Sequence, residues 1–121
     1  MSHTTDPRDP RLGHGVDQEP TGQHDVYLVL SDDERARGFV RPLRTAYVHL
    51  VCGTVTTMSL PIAETYARDP HFYGATFCCN CSRHLPVGPA GEFVWDVPAP
   101  PFRTAAEYQT WLETVPPRVG T

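Results

Sequence analysis

Two short pairs of soft side chains are the residues of this chain best suited to chemistry. His49-Leu-Val-Cys52, followed at once by Gly53, forms the first pair, and Cys78-Cys79-Asn80-Cys81 supplies the second. Each pair has two residues between its members, so both side chains can reach one ion from a single tight turn. Zinc in structural sites takes four Cys or His ligands in a tetrahedron, and pairs of this spacing are how small domains supply them. Gly53 supports a knuckle, because a glycine there lets the backbone turn and aim its amides at the ligand atoms.

Cys52, Cys78 and Cys81 are three candidate ligands, and the fourth has two contenders. His49 has the right spacing. If a strand ran on through Cys52, however, His49 and Cys52 would point to opposite faces. His84, two residues beyond Cys81, is the rival; Gly53 favours His49 because it marks the end of a knuckle rather than a running strand. Cys79 is adjacent to a ligand and is expected to face away. A neutral imidazole and three thiolates leave one net negative charge around Zn2+, to be offset by Arg83 or by backbone amides.

An alternative chemistry is a zinc-dependent hydrolase or nuclease, which needs an open coordination position with an acid or base beside it. The His-x-Glu and Pro-Cys-x-x-Cys elements of zinc deaminases are absent, since Phe77 precedes Cys78. Glu64 and His71 are close in sequence, but Glu64 belongs to the surface of a predicted helix. Nucleophile–base pairs and phosphate-binding glycine loops are missing by motif. The expectation is therefore one closed, structural Zn2+ and no catalytic residue.

The elements that must position these ligands read as a small α+β domain, with short strands, two or three short helices and zinc-ribbon-like knuckles. In 121 residues there are 13 prolines, so the packed part is smaller than the chain, and small cores often need a metal. Residues 1–24 carry almost no large apolar side chains and read as a flexible tail. The domain spans 25–115, with 116–121 as a C-terminal tail. Strands are predicted at 26–30, 45–51, 72–77 and 92–95, with 54–57 extended or turning. Ser31 and Glu34 form a capping-box pattern for a short helix ending at Gly38. Ile62, Ala63, Tyr66 and Ala67 place a helix over 60–68, stopped by Asp69-Pro70. Thr104 and Glu107 open a last helix whose stripe is Tyr108, Trp111, Leu112 and Val115.

Charge and hydropathy narrow the partners. The formal net charge is −4, which opposes tight non-specific binding to nucleic acid. All ten basic residues are arginine, and Arg35, Arg37, Arg41 and Arg44 fall close together beside Asp32, Asp33 and Glu34. The cluster reads first as a solvated, neutralised face. With Tyr47 and Tyr73 it is also the basis for a nucleic-acid-binding alternative. No apolar run reaches the about 20 residues needed to span a bilayer. The polar N-terminus lacks a hydrophobic signal region, so a cytoplasmic setting is expected. There, free cysteines serve as ligands more readily than as disulfides.

The segment CGTVTTMSLPIAETYARDPHFYGATFCCNCSRHLPVGPAGEFVW, residues 52–95, resembles small uncharacterised proteins encoded by bacteriophages and prophages. YLVLSDDERARGFVRPLRTAYVHL resembles the same family's N-terminal portion, and the run ETYARDPHFYGATFC is its distinctive part. The resemblance implies a phage or prophage setting inside a host bacterial cell and no particular activity. With the closed ligand set and acidic balance, the function expected is non-enzymatic, through a host or phage protein partner.

Overall fold

The computed structural model describes residues 2–12 and 22–121. Strand β3 (Ala46–His49) is the centre of the fold, paired antiparallel to β4 (Val55–Thr57) on one side and to β7 (Phe93–Trp95) on the other. Tyr47, Val48 and His49 are all buried. Successive side chains of a strand point to opposite faces, so burial of all three means that both faces are covered. Tyr47, Phe93 and Trp95 enter the main core, and Val48 and Val94 enter a second, smaller cluster.

Helix α2 (Leu60–Arg68) contributes to the main core with Ile62 and Tyr66, and its buried residues include the predicted Ile62, Ala63, Tyr66 and Ala67. Pro61 sits in its first turn, where the missing N–H does no harm. Tyr66 meets Trp95 edge-on at 5.6 Å, as Tyr47 meets Phe93 at 5.4 Å. Such pairs add about 0.5–1.5 kcal/mol each beyond area burial. Helix α3 (Ala105–Thr114) covers the other face, where Leu112 packs on Val48 and Val94. The expected four-residue stripe is only partly used: Leu112 is buried, whereas Tyr108 and Val115 are exposed. Val115 is the cap of this helix rather than part of its last turn.

A separate antiparallel hairpin joins β5 (Ala75–Cys78) to β6 (Arg83–Pro86). The strand at 83–86 is not among those the sequence predicts. Short α1 (Asp32–Arg35) is capped by Ser31, whose hydroxyl accepts from the Glu34 amide at 3.2 Å. The Glu34 carboxylate turns to Arg68 and Arg37 instead of reaching back, so only half of the box forms. At α3, Thr104 accepts from the Glu107 amide at 3.1 Å, and the Glu107 carboxylate accepts from the Arg103 amide at 3.0 Å.

Two terminal segments differ from expectation. Within the expected flexible tail 1–24, β1 (Ser2–Thr4) pairs in parallel with β2 (Val26–Leu28), and His3 Nε2 hydrogen-bonds Ser59 Oγ at 2.7 Å. The remainder of that tail from 13 to 21, including His14, lies outside the described residues. The expected tail 116–121 instead packs beside β7. Val119 is fully buried and donates its N–H to Phe93 O at 3.1 Å, while Trp95 donates to Pro117 O at 3.0 Å. Main-chain bonds hold both segments, and such bonds leave no trace in composition.

Candidate metal centre

Each of the two cysteine-bearing hairpins delivers its ligand pair from its turn. Strand β3 stops at His49, and the chain closes a turn in which the Gly53 amide donates to His49 O at 2.7 Å. Gly53 has φ 74, in the left-handed region where glycine carries no penalty. This turn swings the Cys52 side chain back to the side of His49, which removes the opposite-face objection. Leu50, apolar for a tight turn, packs on the Val48–Val94–Leu112 cluster, whereas Val51 projects outward and is 75% exposed.

In the second turn, between β5 and β6, the Ser82 amide donates to Cys78 O at 2.8 Å. Ser82 itself has φ 56, the non-glycine residue that bends this knuckle. The Cys81 amide points at Cys78 Sγ from 3.5 Å, supplying the backbone amide expected to offset thiolate charge. Arg83 stands opposite Cys78 in the ladder but is exposed.

Together the turns gather His49, Cys52, Cys78 and Cys81, one ligand atom each, all within 4.8 Å of one another. Cys52 Sγ and Cys78 Sγ are 3.6 Å apart; His49 Nδ1 is 3.2 Å from Cys52 Sγ and 3.5 Å from Cys81 Sγ. A tetrahedral ion with metal–sulfur bonds of about 2.3 Å and a metal–nitrogen bond of about 2.0 Å sets ligand–ligand edges of about 3.5–3.8 Å. Three of the edges lie at 3.2–3.6 Å and no two of the four atoms are more than 4.8 Å apart, so the cluster can hold one metal ion. His49 and Cys78 are buried, and Cys52 and Cys81 are half-buried.

One participant had no signal in the sequence reading. Glu92 accepts from His49 Nε2–H at 2.9 Å, while the imidazole stacks on Phe93 with ring centres 4.7 Å apart. With its proton held at Nε2, the ring turns the Nδ1 lone pair toward the three sulfurs. Glu92 reaches that position because β7 pairs Phe93 with His49. Only that register makes it visible.

The thiols are electrostatically unlike. Burial works to raise the Cys52 thiol, but hydrogen bonds to it, chiefly from Thr54, outweigh burial and bring it down to about 6. Burial, then hydrogen bonding and charge repulsion with Cys78 and Cys52, pushes Cys81 up to about 11. One sulfur is thus poised as a thiolate and another as a donor to it.

The structure leaves His84 out of the cluster. Its Nε2 is hydrogen-bonded to the Tyr27 hydroxyl at 2.8 Å, and its ring stacks on His24 at 4.1 Å. Cys79 is exposed and faces away, with its thiol 3.5 Å from Val55 O. His71 is exposed, and Glu64 is tied to Arg35 at 2.6 Å. The arginine–tyrosine surface suggested by the sequence does not assemble. Tyr47 is buried and donates to Phe77 O, Tyr73 donates to Leu28 O, and Arg35 is paired with Asp32 and Glu64. No helix among the described residues is long and apolar enough to cross a membrane. Compared with protein-family models, curated proteins and solved structures, the chain matches none.

Proposed function

We propose that the four-residue cluster holds a single structural Zn2+ and that the protein works by binding another protein rather than by catalysis. The observation that carries this reading is the convergence of His49 and three sulfurs, from two hairpin turns, to within 4.8 Å of one another. Two hairpins joined at their tips by one ion fit the zinc-ribbon-like description. Three thiolates and an imidazole suit zinc, whereas carboxylate and carbonyl sets suit magnesium or calcium. Four protein donors complete the tetrahedron and leave no position for a reacting water, which favours a structural role over a hydrolase or nuclease. The phage or prophage setting and host-cell cytoplasm belong to the same proposal and rest on the sequence resemblance.

The test is metal content of the full chain purified without added zinc, repeated for Cys52→Ala, His49→Ala and His84→Ala. One zinc per chain is expected in the parent and in His84→Ala, with loss in the other two. Full zinc occupancy in both Cys52→Ala and His49→Ala would sink the ligand set.

A further inference from the structure

We infer that the metal cluster is also a redox switch: hydrogen peroxide joins Cys52 to Cys78 in a disulfide, the ion is released, and the two hairpins stay tied by a covalent bond. The release of an ion rests on the zinc reading above. All four cysteines are free. Cys52 Sγ and Cys78 Sγ stand 3.6 Å apart. A disulfide bond is about 2.0 Å long, so a shift of about 1.6 Å closes the pair. The two residues belong to different sheets: Cys52 lies in the turn between β3 and β4, whereas Cys78 ends β5.

Exposure divides the roles. Cys52 is half-buried, so a small neutral oxidant reaches its sulfur, whereas Cys78 is fully buried behind it. Redox-sensing cysteines are accessible thiolates with a second thiol beside them to resolve the first oxidation product. The Cys52 thiolate attacks one peroxide oxygen, the O–O bond breaks, and a sulfenic acid forms as hydroxide leaves. The Cys78 thiolate then attacks the Cys52 sulfur; the S–S bond forms, the S–O bond breaks and a second hydroxide departs. Two thiolates and one peroxide thus give one disulfide and two hydroxides, with two electrons passing from sulfur to oxygen. The Cys81 amide, 3.5 Å from Cys78 Sγ, supports that sulfur as a thiolate.

The product differs from the metal site in what it holds. His49 and Cys81 are the donors left over, and a structural zinc needs four. The covalent tie spans 26 positions of sequence, and a cross-link restricts the unfolded chain more as the loop it closes lengthens. A Cys78–Cys81 bond, by contrast, closes a single turn and leaves the two sheets without a covalent link. Cys79 stands outside the exchange, exposed and with its thiol 3.5 Å from Val55 O.

The experiment treats the zinc-loaded full chain and its Cys79→Ser variant with hydrogen peroxide. Both should release their zinc to a metallochromic dye and lose two thiols per chain, and peptide mapping should find Cys52 bonded to Cys78. The oxidised chain should melt above the chain stripped of zinc and kept reduced, and dithiothreitol with zinc should restore the starting state. A map dominated by Cys78–Cys81, disulfides between chains through Cys79, or sulfinic acid without a disulfide would overturn the inference. So would zinc retained after the bond forms, or an oxidised chain that melts no higher than the reduced metal-free one. The metal-free reduced chain, oxidised in parallel, should form the same Cys52–Cys78 bond. A chain that never carried zinc yet forms that bond defeats the metal reading alone, whereas zinc binding without the bond defeats this inference alone.

Discussion

At the scale of single residues, Glu92 is the informative addition to the ligand set. Glu92→Gln keeps the shape but can no longer bind the Nε2 proton with a full negative charge. Outer partners of this kind are worth about 10–100-fold in metal affinity. A loss of that size in a chelator competition, with the fold retained, is the expected result. The thiols add a pH dependence. In the metal-free protein Cys52 holds its proton only below about 6, well under its ordinary value. Metal must displace that proton at lower pH and finds it already gone at higher pH. Affinity therefore falls with acidification, and a plot of log affinity against pH steepens by about one unit of slope on descending through about 6. A straight line across that pH would contradict the assignment. That Cys52, Cys78 and Cys81 could gather at one point was legible from spacing alone, as was the outward placement of Cys79. Glu92 was not, because only the pairing of β7 with β3 brings it to His49.

At the scale of elements, α3 depends on one buried residue. Leu112→Ala removes the only fully buried side chain of that helix and should cost about 2–5 kcal/mol. Trp111, packed beside Leu112 on the same cluster, should report a more solvated environment in fluorescence, while zinc content stays unchanged. Helix α2 was readable almost residue by residue, because a 3.6-residue apolar stripe, an early proline and Asp69-Pro70 all agree. Strand β6 was not readable. It is four residues long, ends in Pro86, and buries only Leu85. The stripe of α3 was read correctly as helical, yet periodicity cannot tell how much of an apolar face finds a partner. Here Tyr108 stays outside, forming with Phe102 and Trp111 an aromatic group on the surface.

For the molecule as a whole, the proposed ion would add a tie between two sheets that already share the main core and the Tyr47–Phe77 and Cys79–Thr56 hydrogen bonds. The three-stranded sheet brings His49 and Cys52, the separate hairpin brings Cys78 and Cys81, and on the proposed reading metal binding contributes folding free energy. Removing zinc with a chelator should lower the melting temperature sharply. Readdition should restore it, with a midpoint that rises with free zinc. An unchanged melting curve after complete removal would refute the structural role. The α+β class was legible from mixed helical and strand patterns, and the structure bears it out. What escaped was the closure at the ends, where β1 and Val119 are fixed by backbone pairing that no composition or hydropathy pattern encodes.

The four candidate ligands are not equally sheltered: Cys78 and His49 are buried, while Cys52 and Cys81 are half-buried. If the proposed metal is bound, a competing thiol or chelator can reach the two outer sulfurs before the inner pair lets go. Metal exchange should accordingly speed up with competitor concentration instead of waiting on global unfolding. Its rate would be set by access to Cys52 and Cys81.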